Sequence, residues 1–161
     1  MIRPPRAASF HGKGIAGYNG VKRGESDPHQ VFHKGFTMDR NILVVDNEPV
    51  ILDLLTLLLS RSGDRVDQAS DAEAALRKVD DQKYDAILLD MRMPDMDGKA
   101  LYENIKARSA DLAARIIFVT GDLANRQTTS FLQATGNPYL EKPFTCAQLE
   151  AVMERFFRFG P

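Results

Sequence analysis

Four-residue apolar runs recur along the chain, separated by segments of helical periodicity. Residues 42–45, 86–89 and 116–119 are entirely aliphatic or aromatic, which is typical of parallel strands buried on both faces. Residues 65–69 and 138–141 predict two weaker strands. After each run, apolar residues recur every three or four positions, which is the period of an amphipathic helix.

Local signals mark where these helices begin and end. Pro49 can occupy the first turn of a helix, and apolar residues at helical spacing follow it until Gly63 stops the pattern. Residues 70–73 have the form of a capping box, which opens a helix to about residue 79. The remaining helices are predicted after Gly98, before Gly136 and over residues 144–157. Five strand–helix units predict an α/β fold, a three-layer α/β/α sandwich around a five-stranded parallel sheet.

Polar side chains stand where the predicted strands end. Asp46, Asp90 and Thr120 end or follow the first, third and fourth strands, and Lys142 follows the fifth. Ligands of open α/β sheets bind at the carboxyl ends of the strands. Two acids, a hydroxyl and an amine are therefore expected to converge on one edge of the sheet.

Charge is distributed unevenly along the chain. Residues 1–40 carry seven Lys and Arg against three Asp and Glu, whereas residues 41–161 carry fourteen against nineteen. Because residues 1–37 are also rich in glycine and lack a sustained period, residues 1–38 are predicted to be a disordered or weakly ordered leader. Residues 39–159 are predicted to form the folded domain. An acidic domain of this kind is a poor candidate for nucleic-acid binding.

Cysteine usage and hydropathy bound the cellular context. Cys146 is the single cysteine, so no intrachain disulfide can form and a reducing compartment is favoured. No apolar run approaches the roughly 18 residues of a membrane span. We therefore expect a cytoplasmic protein that does not contact membranes.

Four segments carry a resemblance to a known family. The segments ILVVDNEP, AILLDMRMPDMDG, IIFVTGD and YLEKPF occur in order between about residues 41 and 157, and this stretch resembles the receiver domain of two-component response regulators. The phrase TGNPYLEKPF also resembles the C-terminal receivers of hybrid histidine kinases. The resemblance implies a flavodoxin-like strand order of 2-1-3-4-5. It also implies a signalling domain that catalyses its own phosphorylation and dephosphorylation rather than an enzyme.

The resemblance assigns a role to each residue at the strand ends. Asp90 would accept a phosphoryl group, a reaction open to carboxylate nucleophiles, with Mg²⁺ as the cofactor. Lys142, preceding a cis proline, would pair with Asp90 at rest and with the phosphoryl group afterwards. Thr120 would donate a hydrogen bond to that group and act with Tyr139 as a switch. The metal ligands would come from Asp46, Asn47, Asp90 and the backbone carbonyl of Arg92.

Neighbouring residues are expected to shape the site. Gly121 would leave space for the incoming group, and Gly98 would supply backbone freedom before the third helix. Asp95 and Asp97 are interpreted as loop or helix-capping residues rather than metal ligands. Tyr139 has the alternative interpretation of a core aromatic residue.

The main departure from the family pattern is Asn47. Many members carry an acid there, whereas asparagine offers only a neutral carbonyl oxygen. Glu48 is a candidate to compensate, or a helix-start acid favoured by the helix dipole. Weaker Mg²⁺ binding than in a two-acid receiver is therefore expected.

Two other functions remain open at this point. Asn47 favours a pseudo-receiver that binds partners without being phosphorylated. An aspartate-based phosphatase would need a second acid two positions after the nucleophile, where Arg92 stands. The expected partner is a histidine kinase or a histidine phosphotransfer protein, docking on the first helix through Val50, Asp53 and Leu54 and near Pro143 and Phe144. The chain is expected to be a stand-alone or excised receiver, and a monomer or weak dimer.

Overall fold

A computed structural model describes residues 39–94 and 96–160, which form alternating strands and helices. The strands are β1 (Asn41–Val45), β2 (Arg65–Ala69), β3 (Ala86–Asp90), β4 (Ile116–Thr120) and β5 (Tyr139–Glu141). The helices are α1 (Pro49–Arg61), α2 (Ala72–Asp81), α3 (Gly98–Arg108), α4 (Ala110–Ala113), α5 (Arg126–Thr135) and α6 (Cys146–Phe159). The predicted leader, residues 1–38, lies outside the described residues.

The five strands form one sheet in the order β2-β1-β3-β4-β5. Each neighbouring pair is parallel, so the carboxyl ends of all five strands lie along one edge. The α/β sandwich and the strand order implied by the family resemblance are both confirmed. The order reverses beside β1 and β3, which places a ligand crevice between the ends of these two strands.

Two separate apolar cores cover the two faces of the sheet. Leu43, Leu89 and Phe118 belong to one core, and Ile42, Leu88 and Ile117 to the other, because successive strand residues point to opposite faces. Phe118 also contacts the rings of Tyr102 and Phe131 at centroid distances of 5.5 and 5.4 Å. Burial on both faces explains why the central strands are continuously apolar.

Side-chain caps fix the beginnings of several helices. Asp71 caps α2 by accepting a hydrogen bond from the Ala74 backbone, so the prediction of a capping box with Ser70 as the N-cap is wrong. Thr145 and Gln148 form a reciprocal capping box at the start of α6. Gly136 ends α5 with a φ of 72°, a left-handed conformation that favours glycine. None of the helices in the described part of the chain is both long and apolar enough to span a bilayer.

Candidate functional site

Two buried carboxylates lie side by side at the carboxyl edge of the sheet. Asp90 is the last residue of β3 and Asp46 follows β1, and their side chains are only 5% and 1% exposed. The Asp46 backbone N–H extends the sheet ladder by donating to Ala69 at 3.1 Å. Because β1 and β3 pair directly, their ends bring these two acids together.

A single ammonium group joins the two acids. The Lys142 Nζ lies 2.7 Å from Asp46 Oδ2 and 2.9 Å from Asp90 Oδ1. A third carboxylate oxygen, Glu48 Oε1, lies 3.5 Å from the same nitrogen on the exposed side. The Lys142 backbone N–H donates to Thr120 at 2.7 Å, and the Lys142–Pro143 peptide is cis as expected. Lysine therefore bridges both acids, not Asp90 alone.

Backbone groups hold the other oxygen of each acid. Asp46 Oδ1 accepts a hydrogen bond from the Glu48 N–H, and Asp90 Oδ2 accepts one from the Arg92 N–H, both at 2.8 Å. Each carboxylate is thus held by one backbone donor and by the Lys142 ammonium. This arrangement fixes the orientation of both acids.

The environment shifts the protonation equilibria of Asp90 and Lys142. Burial raises the pKa of Asp90, and the Lys142 ammonium opposes this effect only in part. Burial also lowers the pKa of Lys142, but its hydrogen bonds to Asp46 and Asp90 outweigh that effect and keep the pKa above its usual value. Lys142 therefore remains a fixed positive charge at neutral pH.

Thr120 and Tyr139 have different surroundings. Thr120 is fully buried, and its hydroxyl oxygen accepts a hydrogen bond from the Asp122 N–H at 3.2 Å, which leaves the hydroxyl proton available. Tyr139 is 48% exposed and lines a cavity of about 170 Å³ with Leu132 and Asn137. The alternative interpretation of Tyr139 as a core residue is therefore wrong.

Gly98 contacts the end of the β3 strand. A Cβ atom at this position would lie 2.4 Å from the Asp90 carbonyl oxygen and 2.8 Å from the Met91 Cα. Glycine is therefore required by close backbone approach. Gly98 is not among the described glycines with a positive φ, so the expected role in backbone freedom is wrong. Asp97 caps α3 through the Ala100 N–H at 2.8 Å, as expected, whereas Asp95 lies outside the described residues.

The donor groups suit a hard cation. Asp46 and Asp90 supply two buried carboxylates, and the half-buried Asn47 follows Asp46 directly; Mg²⁺ prefers such oxygen ligands and retains several waters. Within residues 39–94 and 96–160, no group of three or more His, Cys, Asp and Glu side chains is arranged to hold a metal. The residues fit a magnesium ion with few protein ligands.

The sequence matches the response regulator receiver domain family over residues 42–154, which include both acids, Thr120 and Lys142. The chain belongs to this family. The resemblance seen in the four sequence segments is thereby confirmed.

Relatives of this receiver domain include longer regulators. It is 31% identical to the transcription factor SKN7 of Saccharomyces cerevisiae over 78% of this chain and 19% of that protein. It is 34% identical to the alkaline phosphatase synthesis transcriptional regulatory protein PhoP of Bacillus subtilis over 75% of this chain and 50% of that protein. The chain thus spans half or less of the length of these relatives.

Solved structures share the fold of this receiver domain. The receiver domain of a sensor histidine kinase from Pseudomonas aeruginosa, with magnesium coordinated in its active-site cleft, is 33% identical with a TM-score of 0.66. That match covers 75% of this chain and 99% of the other. The chemotaxis protein CheY4 of Vibrio cholerae is 25% identical with a TM-score of 0.67, over 73% and 98% of the two chains.

Sequence reasoning missed two contacts of Lys142. Neither its ion pair with Asp46 nor the proximity of Glu48 was predicted, because the strand pattern places residues at an edge without fixing which side chains meet. The expectation that Lys142 follows the fifth strand was the available signal for a shared cluster.

Proposed function

We propose that this receiver domain takes a phosphoryl group from a phosphohistidine of a partner protein onto Asp90. The carrying observation is the cluster at the strand ends, where one ammonium contacts both Asp46 and Asp90 within 3 Å. Phosphoryl transfer depends mainly on positioning and charge neutralisation. A nucleophilic carboxylate beside a fixed cation supplies both.

Asp90 acts as the nucleophile in this proposal. A carboxylate oxygen of Asp90 bonds to phosphorus while the phosphorus–nitrogen bond of the donor breaks, and the electron pair of that bond returns to the imidazole ring. The product is an acyl phosphate on Asp90 and a free histidine on the partner. Lys142 keeps its positive charge throughout and pairs with an oxygen of the transferred group.

The proposed Mg²⁺ ligands are the carboxylates of Asp46 and Asp90, the side-chain carbonyl of Asn47 and the backbone carbonyl of Arg92. When bound, the ion neutralises charge on the phosphoryl oxygens. Asn47 contributes an oxygen without a negative charge, so the site binds the ion with less charge than a receiver that has two acids there.

Thr120 and Tyr139 are proposed to transmit the effect of Asp90 phosphorylation. Among the described residues the Thr120 hydroxyl accepts a hydrogen bond and donates none, and Thr120 lies at the end of the strand next to β3, so it can donate to the new phosphate. A phosphoryl group adds close to two negative charges and several acceptor oxygens. Its pull on Thr120 shifts the population of the Tyr139 ring positions beside the 170 Å³ cavity.

The proposed donor is a histidine kinase or a histidine phosphotransfer protein. Val50 and Leu54 on α1 are 76% and 38% exposed, and α1 begins three residues after Asp46. Their apolar side chains offer a docking surface beside the acceptor, to which Asp53 and the Pro143–Phe144 segment contribute. The acidic charge of residues 41–161 supports a protein partner rather than nucleic acid.

The proposal is tested by incubation with acetyl phosphate, with and without Mg²⁺, followed by intact-mass measurement. The chain should gain the mass of one phosphoryl group only when Mg²⁺ is present, and Asp90→Asn should gain none. Asn47 gives the pseudo-receiver its support. The absence of any gain, with acetyl phosphate or phosphoramidate as donor, would establish that alternative instead.

A further inference from the structure

Glu48 is placed where a helix cap is expected but does not act as one. It is the N-cap residue of α1, a position that favours the short side chains of Ser, Thr, Asp and Asn. The Glu48 side chain makes no capping hydrogen bond, and its Oε1 instead lies 3.5 Å from the Lys142 Nζ. The Glu48 backbone N–H is tied to Asp46 Oδ1 at 2.8 Å, which fixes this residue beside the acid pair.

The three carboxylates around Lys142 differ in their exposure. The side chains of Asp46 and Asp90 are 1% and 5% exposed, that of Lys142 is 18%, and that of Glu48 is 61%. Glu48 therefore lies on the solvent side of the ammonium, whereas the other two acids lie beneath it. A displacement of the ammonium toward solvent would bring it closer to Glu48.

The resting cluster presents an obstacle to a cation. The Lys142 ammonium lies within hydrogen-bond distance of both buried acids, so it competes with a divalent ion for the same oxygens. Like charges repel at such distances. For Asp46 and Asp90 to bind a cation, Lys142 must weaken its contacts with both, and among the described residues Glu48 is the one other carboxylate within 4 Å of its Nζ.

We propose that Glu48 is a positioning residue that pairs with the Lys142 ammonium when Asp46 binds a divalent cation. Glu48 thereby lowers the competition between lysine and cation without contacting the cation itself. This inference rests on the proposed function, since it assumes that Asp46 and Asp90 hold Mg²⁺. In the sequence Asp46-Asn47-Glu48, residue 47 is neutral. Glu48 would then support metal binding through Lys142 rather than as a ligand.

A double-mutant cycle tests the inference through Mg²⁺ affinity measured by calorimetry. Glu48→Gln should weaken Mg²⁺ binding about two- to fivefold, which is the range for a partly exposed ion pair. In the Lys142→Met background the same substitution should change affinity by less than about 1.5-fold, because the group it acts through is gone. A direct ligand or a simple charge effect would weaken binding equally in both backgrounds and would overturn the inference.

Glu141→Gln is the matched control. Glu141 precedes Lys142 directly and is exposed, and among the described ion pairs it has none with Lys142. The Glu141→Gln substitution therefore removes a carboxylate of the same type next to Lys142. The Mg²⁺ affinity of this variant should stay within about 1.5-fold of that of the unaltered chain. An equal loss in Glu141→Gln and Glu48→Gln would also overturn the inference.

Failure of the inference and failure of the proposed function give different results. If the unaltered chain binds Mg²⁺ and is phosphorylated while Glu48→Gln binds Mg²⁺ as tightly, only the role of Glu48 is refuted. If the unaltered chain binds no Mg²⁺, both are refuted. Thermal unfolding of each variant separates loss of the fold from loss of binding.

Discussion

The charge balance of the site depends on Lys142. Its ammonium contacts Asp46 and Asp90 at 2.7 and 2.9 Å, so two buried negative charges share one positive charge. Burying a charge is costly unless it is paired and hydrogen-bonded. Each acid also accepts a backbone N–H, and for Asp90 this hydrogen bond and the Lys142 ammonium partly oppose the rise in pKa that burial causes.

Asp90 is nevertheless predicted to reduce stability at neutral pH. Because burial raises its pKa above the unfolded value, the folded state binds the proton more tightly than the unfolded state does. The free energy of unfolding contributed by this group is present at low pH and lost as pH rises through the folded pKa. Asp90→Asn carries no such proton, and in it Lys142 keeps its partner Asp46.

The comparison of Asp90→Asn with the unaltered chain therefore has a defined pH dependence. In metal-free buffer, the variant and the unaltered chain should have similar free energies of unfolding at about pH 4. The variant should be more stable by about 1 kcal/mol at neutral pH. Urea denaturation at several pH values measures this difference, and a gap that stays constant or narrows as pH rises would refute the expected contribution.

Asn47 contributes no negative charge to the proposed Mg²⁺ site. Asn47→Asp adds a negative charge directly after Asp46, at the place where the sequence has a neutral amide. We expect Mg²⁺ binding to tighten by about tenfold, or about 1.4 kcal/mol, because charge count sets the affinity of such sites. An unchanged calorimetric affinity would show that residue 47 does not face the ion.

The contact between Gly98 of α3 and the end of β3 constrains how these two elements pack. The first residue of α3 lies against the Asp90 carbonyl and the Met91 Cα, where a Cβ would come within 2.4 and 2.8 Å. The Gly98 N–H also donates to the Met91 carbonyl at 3.1 Å. The start of α3 therefore constrains the backbone from Asp90, at the end of β3, to Arg92 in the loop that follows.

Gly98→Ala should consequently damage both stability and metal binding. The backbone must shift to admit the methyl group, at a cost of about 1–3 kcal/mol, and the shift would move the Arg92 carbonyl. Thermal unfolding and Mg²⁺ calorimetry measure the two effects. Gly121→Ala is the control, because its Cβ would meet Lys142 atoms at an ordinary 3.6 and 3.7 Å. Equal stability of the two variants would contradict the steric role of Gly98.

Most elements were predictable because burial leaves a clear pattern. The central strands β1, β3 and β4 lie between two cores, so both faces are apolar and the runs are continuous. The four-residue helix α4 was missed because it is too short to show a period. The start of α2 was misplaced by one residue because Ser70 and Asp71 are both good capping residues.

The sequence predicted which residues belong to the site better than it predicted the contacts between their side chains. The positions of Asp46, Asp90, Thr120 and Lys142 follow from the parallel arrangement of the strands. The bridge between Lys142 and Asp46 joins residues 96 positions apart and depends on side-chain geometry that periodicity does not contain. The reason for Gly98 likewise required the distance to Asp90, since a glycine in sequence does not distinguish conformational freedom from close approach.

At the scale of the whole molecule, the sheet separates scaffold from chemistry. Two apolar cores hold five parallel strands in the order β2-β1-β3-β4-β5, and the two buried acids and Lys142 lie at one edge. In the proposed function, a change at Asp90 passes to Thr120 on β4 and then to Tyr139 on β5, because β3 pairs with β4 and β4 with β5. The sheet would thus link the proposed acceptor to an exposed ring over two neighbouring strands.

The most direct test is to locate the phosphoryl group on the chain. After treatment with acetyl phosphate and Mg²⁺, borohydride reduction converts an aspartyl phosphate to homoserine, which peptide mass mapping assigns to a position. We predict homoserine at position 90 in the unaltered chain, and none there without Mg²⁺ or without the phosphodonor. Homoserine at another aspartate position, with residue 90 unchanged, would contradict the proposal that Asp90 accepts the phosphoryl group.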